Sequence, residues 1–186
     1  MNHPDPAPVI YTIGHSTQPL EEFLGLLQPQ GVVRVVDVRT VSRSAHNPQY
    51  NGEALPDPLQ EAAIAYEHCR ELGGWRKVQP DSVNTAWREL AFRGYADYMQ
   101  TPEFWTALGE LLERARGERL AILCEEESPW SCHRRLIGDA LVVRGAEVRH
   151  ILPDGRLEEH VLTPWGVMED GRITYPGSPP EDDAAL

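Results

Sequence analysis

The residues best equipped for chemistry lie in one run, Cys124-Glu125-Glu126-Glu127-Ser128-Pro129-Trp130-Ser131-Cys132-His133-Arg134-Arg135. It joins an apolar β-rich segment ending at Cys124 to a helical pattern carrying Leu136, Ile137, Ala140 and Leu141. A helix N-terminus presents unpaired N–H groups and the positive end of its dipole, so it suits an anion. The spacing predicts Ser131 as the cap and Cys132 in the first turn, beside His133 and Arg134, conditions that favour a thiolate. Cys132 is thus expected as a nucleophile or a ligand. Cys124 continues the strand pattern, and it and Cys69 read as structural. Gly14-His15-Ser16 closes an early strand in a tight turn, where His15 offers an imidazole for proton transfer or simply shapes the turn. Asp37 and Arg39 stand two apart on one strand face, where a carboxylate entering a buried strand end needs a partner, so a pair that orders the loop is expected.

Two other chemistries draw on the same residues. Cys124, Glu126, Cys132, His133 and a distant His15 supply donors that suit zinc. The Cys-x-Glu and Pro-x-x-Cys elements echo the zinc deaminase signature, but here both fall in one loop rather than at two helix starts. Asp37-Val38-Arg39 after an early strand, and a cysteine at a later strand end, also occur in rhodanese-like sulfur-transfer domains. Three acids directly after Cys124 would repel an anionic sulfur donor. Trp75, Trp87, Tyr95 and Tyr98 could stack on a base, although core filling is the commoner use of such rings.

The elements that must position these groups alternate between strand and helix. Val9–Gly14, the β-branched run 32–38, 65–69, Leu120–Cys124 and 148–152 read as strands. Leu20, Phe23, Leu24 and Leu27 recur at helical spacing, with Pro19 at the start and Pro29 and Gly31 as stops. A short helix follows Pro58, and Thr101-Pro102 opens another with Phe104, Leu108, Leu111, Leu112 and Ala115 on its buried stripe. Residues 40–54 and 72–93 read as long loops of the kind that carry function. The fold class expected is a single α/β layered domain: a largely parallel sheet of about five strands, helices on both faces, and an antiparallel hairpin strand near 157–162. Ligands in such sheets bind past the carboxyl ends of the strands. That rule gathers Gly14 to Ser16, Asp37 to Arg39, the loop after His68 and Cys124 to Arg135 on one rim.

Of 186 residues 41% are hydrophobic and 25% charged, which suits one globular domain. No apolar run approaches the length of a membrane span, Met1 to Pro8 does not read as a signal peptide, and three cysteines without Cys-x-x-Cys fit a reducing cytosol. The net charge of −12, from 29 acids against 17 bases, opposes broad duplex nucleic-acid binding. Eight acids against two bases fall in residues 150–186. The packed domain is expected over 9–163, with residues 1–8 disordered and 164–186 a loosely attached or disordered acidic tail.

Taken together, the motifs resemble the bacterial and archaeal family called domain of unknown function 488. The matching stretches are Thr12-Ile13-Gly14-His15-Ser16, Val36-Asp37-Val38-Arg39, Ser42-Arg43, Asn47-Pro48-Gln49-Tyr50-Asn51, Leu72-Gly73-Gly74 and the segment from Phe92 to Met99. They continue through Cys124-x-Glu126, Pro129, Cys132-His133-Arg134-Arg135 and His150-Ile151, so the resemblance covers about Ile10 to Leu162. Glu125 stands where the family has Ala, and Val41 where many members have Pro. The resemblance implies one cytosolic α/β domain and no particular reaction. The residues themselves point to an enzyme acting on a small anionic substrate, nucleotide-like or phosphorylated. Arg39, Arg43, Arg93 and Arg134 would hold the anion, with Ser16, Asp37 and His133 in the same substrate site. His15 or Glu126 would move protons, and Cys132 would carry the chemistry. The alternative is a non-catalytic module that binds a nucleic-acid end or a protein loop. No cofactor is indicated, and no membrane partner.

Overall fold

The computed structural model describes residues 4–181. Five segments pair as parallel strands: β1 (Val9–Gly14), β2 (Arg34–Asp37), β3 (Ala65–His68), β4 (Leu120–Cys124) and β5 (Glu147–Ile151). They lie in the order β3-β2-β4-β1-β5, and β6 (Leu157–Glu159) closes the sheet antiparallel to β5. The α/β layered architecture expected from the sequence is present, five parallel strands with an antiparallel hairpin strand at the edge.

Side chains alternate across the sheet and separate the core into two layers. Tyr11, Ile13, Val35, Ala121 and Leu123 pack with Phe23 and Leu27 of α1 (Leu20–Leu27) and Leu59 of α2 (Pro56–Glu61). Ile10, Val36, Leu120 and Ile122 face the other way, toward α3 (Leu90–Tyr98), α4 (Pro102–Gly117) and α5 (Arg134–Val143). Every residue of β4 is buried, as a central strand covered on both faces must be. Gly31, at φ +67, ends the first helical segment in the left-handed conformation that glycine takes without strain. Thr101 caps α4 as its sequence predicts, its hydroxyl accepting from Phe104 N–H. No helix among the described residues is long and apolar enough to cross a membrane.

Three expectations need correction. The loop assigned to 72–93 ends earlier, because α3 begins at Leu90. Its helical pattern is masked by residues buried for other reasons. A Cβ on Gly94 would sit 2.2 Å from the Arg76 carbonyl, and buried Asp97 accepts from Gln79 N–H, Ser82 Oγ and Asn84 Nδ2 to order the preceding loop. Second, Ser131 does not cap α5. Pro129 starts a 3₁₀ turn, Pro129–Ser131, Cys132 is extended, and His133 occupies the cap position. Third, the packed domain does not stop at Thr163. Residues 164–175 fold back through β7 (Val167–Glu169) and β8 (Arg172–Thr174), and Ile173 and Tyr175 are buried. Tyr175 lies edge-on to Trp87, its hydroxyl donates to Asp139, and its backbone exchanges hydrogen bonds with Asn84 and Ala86. Aromatic burial outweighs the acidic composition of that segment. Pro8, placed in the disordered N-terminal stretch, accepts a hydrogen bond from Glu147 N–H. Residues 1–3 and 182–186 of the two expected disordered ends lie outside the described residues.

Candidate functional site

The predicted rim exists at the carboxyl ends of β1, β2 and β4. Beyond the last paired residues Gly14 and Cys124, the two chains stay zipped: His15 N–H donates to the Cys124 carbonyl at 3.0 Å and Ser16 N–H to Glu125 at 2.9 Å. A Cβ at Gly14 would lie 1.7 Å from the Glu126 carbonyl, so only glycine lets the two loops cross. The turn drives Ser16 to φ 46, and the His15 Nδ1–H holds its carbonyl at 2.8 Å.

Asp37 ends β2 with no exposed surface. Arg39 grips it with two guanidinium bonds, Nε to Oδ1 at 2.9 Å and Nη2 to Oδ2 at 2.6 Å, and Tyr66 OH donates to Oδ2 at 2.6 Å. Arg39 also donates to the Tyr50 carbonyl, and its Nη1 lies 3.3 Å from His15 Nε2, so four of its five N–H groups are engaged by side chains and loop backbone. His15 is wholly buried and stacked on Tyr50 at 4.3 Å. Burial, with the Arg39 charge adding to it, pushes its pKa below the ordinary histidine value despite the bond to Ser16. His15, Asp37 and Arg39 thus form a sealed brace beneath the rim, with Arg39 reaching the cleft above.

A second group lies beside this brace. Cys124 Sγ, Cys132 Sγ and His133 Nδ1 fall within 4.8 Å of one another, with Nδ1 at 3.8 Å from Cys124 and 3.6 Å from Cys132. His133 Nε2 lies 2.8 Å from the Val38 carbonyl. A carbonyl only accepts, so Nε2 carries a proton, which leaves Nδ1 as the nitrogen that faces the sulfurs. Arg134 is buried, and its N–H and Nε both donate to Cys132 Sγ at 3.4 Å. Its other nitrogens reach Thr12 Oγ1 at 3.1 Å and the Glu126 carbonyl at 2.6 Å, tying the loop to β1. Burial alone would raise the Cys132 pKa. A bond from the neighbouring Cys124 thiol and the Arg134 charge outweigh it and bring it well below the ordinary thiol value. Cys124 moves the other way, because it donates to Cys132 and is buried. The start of α5 therefore turns its N–H donors, from Arg134, on the Cys132 sulfur rather than on an outside anion.

Over this group opens a cleft of about 510 Å³, lined by Arg39, Thr40, Arg43, Gly74, Trp75, Phe92, Glu126, Cys124, Cys132 and His133 among others. Trp75 is 78% exposed at its mouth. A larger cavity of about 640 Å³ lies at the amino ends of β1 and β4, between Asp5–Val9 and Ala115–Arg119, and contains no cysteine or histidine. The predicted residues thus divide. Cys132, His133, Arg39, Arg43 and Glu126 line the cleft, whereas His15, Asp37 and Arg134 support it from behind. Ser16 contributes backbone contacts beneath the rim. Arg93 is elsewhere, its guanidinium donating to the Trp87 and Thr85 carbonyls. Trp87 and Tyr95 fill the core, and Tyr98 holds Arg76 over its ring. Cys124, read from the sequence as structural, belongs to the cleft. Its period-2 register with Leu120 and Ile122 already places it on the α5 side of the sheet. Thr40 carried no such signal, and Gly74 only its place in the Leu72-Gly73-Gly74 stretch.

A family model described as domain of unknown function DUF488 matches residues 19–141, a stretch that holds the cleft cysteines, His133 and the Asp37–Arg39 pair. No curated protein and no solved structure matches the chain.

Proposed function

The chain belongs to the DUF488 family, and from that premise we propose that it is an enzyme acting on a small anionic substrate, nucleotide-like or phosphorylated, held in the cleft over Cys132. The observation that carries this reading is the Cys132 sulfur itself. It sits at the inner wall of an open cleft, receives two N–H bonds from Arg134, and faces an imidazole nitrogen. Chemistry is centred on that sulfur. Arg43, with its side chain 71% exposed, is the cation at the mouth that an incoming anion meets first. Trp75 offers a face on which a base can stack. Glu125 and Glu126 beside the same cleft favour a ligand that carries N–H donors as well as an anionic end, which a nucleotide does and a bare phosphate does not. Glu126 is the carboxylate placed to move a proton, since His15 is sealed behind Arg39.

Thermal shift against inorganic phosphate, nucleoside monophosphates and diphosphates, and sugar phosphates tests the reading. A ligand at a hundred times its dissociation constant adds about 2.7 kcal/mol. For a chain of this size that raises Tm by about 5–10 °C. The shift should shrink in Arg43→Ala and Trp75→Ala. No shift with any member, in protein that melts cooperatively, overturns the proposal. Salt-sensitive retention on short single strands without any such shift would favour a binding module instead.

A further inference from the structure

We infer that Cys124, Cys132 and His133 form a binding site for one soft divalent cation of the zinc class, with a fourth coordination position open to the cleft. The donor set is the first support: two cysteine sulfurs and one imidazole nitrogen, drawn from the end of β4 and the turn before α5, converge within 4.8 Å. Sulfur and imidazole together suit zinc above calcium or magnesium, which prefer oxygen.

Spacing is the second. Zinc bonds of about 2.3 Å to sulfur and about 2.0–2.1 Å to nitrogen, at tetrahedral angles, place S and N about 3.6 Å apart. Nδ1 lies 3.6 Å from one sulfur and 3.8 Å from the other, so the imidazole already stands at a shared ion's distance from both, and the two sulfurs lie within 4.8 Å of each other. The tautomer is the third. A ligating histidine gives its second N–H to a carbonyl or carboxylate, which fixes the ring and aims the lone pair at the metal. His133 does so through Nε2 to Val38, and Tyr95 packs edge-on against the ring. Cys132 has outer support of the same kind from the two Arg134 N–H groups.

Space and access complete the case. A Cβ at Gly74 would lie 2.7 Å from His133 Nδ1 and 2.9 Å from its Cγ, over the face of the ring, so this glycine lets the loop pass the imidazole without displacing it. Gly74 also lines the cleft, which supplies both an entry path and room for a fourth ligand. Three protein ligands with an open position are the pattern of catalytic rather than structural zinc. Such a position provides a Lewis acid and lowers the pKa of a bound water to about 7. The assignment deepens the enzyme reading and rests on it for the use of that open position, though not for the binding of the metal.

The test uses the full chain, stripped with a chelator and titrated with Zn²⁺ and with Co²⁺. One metal per chain is expected, with a thiolate-to-cobalt charge-transfer band and tetrahedral d–d absorption. Cys124→Ser and Cys132→Ser should each weaken binding by more than about a hundredfold, beyond the 10–100-fold that outer-shell changes cost. Zn²⁺ should also protect Cys132 of the unmodified chain from iodoacetamide, a readout that needs no variant to fold. Absence of uptake by folded protein, uptake unchanged in Cys132→Ser, or no protection from alkylation overturns the site. Metal uptake without any anion-induced shift leaves the metal site standing and overturns the enzyme reading; an anion shift without metal uptake does the reverse.

Discussion

Asp37 and Arg39 show how much a single residue pair beneath the rim has to do. Both are buried, and the Asp37 carboxylate accepts from Arg39 Nε, Nη2 and backbone N–H and from Tyr66. Through the same guanidinium the pair fixes the Tyr50 carbonyl and His15. Asp37→Asn keeps the shape and removes the charge, leaving Arg39 buried and uncompensated. Breaking such a pair costs about 3–5 kcal/mol. Arg43→Ala removes an ion pair whose two side chains are both about seven-tenths exposed, and should change stability by no more than about 0.5 kcal/mol. Urea unfolding of both variants measures the contrast, and a loss below 1 kcal/mol in Asp37→Asn would mean the brace is dispensable. The Asp37–Arg39 pair was legible in the sequence because two residues on one strand face are neighbours by geometry. Arg93 and Arg134 were not assignable in the same way. A guanidinium on a long stem goes where acceptors are, and those of Arg134 come from Thr12, Glu126 and Cys132, which only the assembled sheet brings together.

At the scale of elements, strands declared themselves and the pieces that pack by close approach did not. Runs such as Leu120–Cys124 are apolar throughout because both faces are covered. α3 hides its period behind Gly94 and Asp97, and β7 and β8 are three residues each in a segment rich in proline, glycine and acids. That last segment is a structural plug. Tyr175 satisfies Asn84 and Asp139, and Ile173 joins the core between α4 and α5. Ending the chain at Thr163 would expose both side chains' contacts, at about 1.5–3 kcal/mol for each large apolar side chain. It would also strip partners from Asp139 and Asn84, whose buried groups cost about 1–3 kcal/mol when unsatisfied. The truncated chain should therefore lose about 4 kcal/mol or more, read as a lower urea midpoint. An unfolding free energy within about 1 kcal/mol of the full chain's would return residues 164–181 to the loosely attached tail that their composition suggests.

Across the whole molecule, one buried line of polar groups runs from the cleft to the plug. Arg134 Nη1 donates to Thr12 Oγ1, which lies 2.6 Å from His150 Nδ1; His150 Nε2 lies 2.9 Å from His160 Nδ1, and His160 Nε2 lies 2.8 Å from Asp139. Asp139 accepts, so each proton points along the chain toward it and both rings are satisfied in their neutral forms. The sequence placed His150 and His160 on adjacent strand segments but could not say that they meet, since that depends on the register of β5 and β6. A proton added to His150 would point at the Thr12 hydroxyl in a site without solvent. Burial first, then the His160 and Arg134 neighbours, push the His150 pKa down to about 3. The unfolded chain titrates near the ordinary value of about 6.5. Above pH 6.5 neither state binds the proton, and this contribution to stability is fully present. As pH falls below 6.5 the unfolded state takes it up and the native state does not, so stability declines until native His150 itself protonates near pH 3. The depressed pKa of His15 acts in the same direction. Between pH 7.5 and 5.5 His150 alone should remove about 1.4 kcal/mol. His150→Gln can occupy the same place without titrating. The unmodified chain should therefore lose about 1.4 kcal/mol more than the variant over that interval in urea unfolding, and parallel losses in the two proteins would show that His150 accepts its proton without disturbing the line.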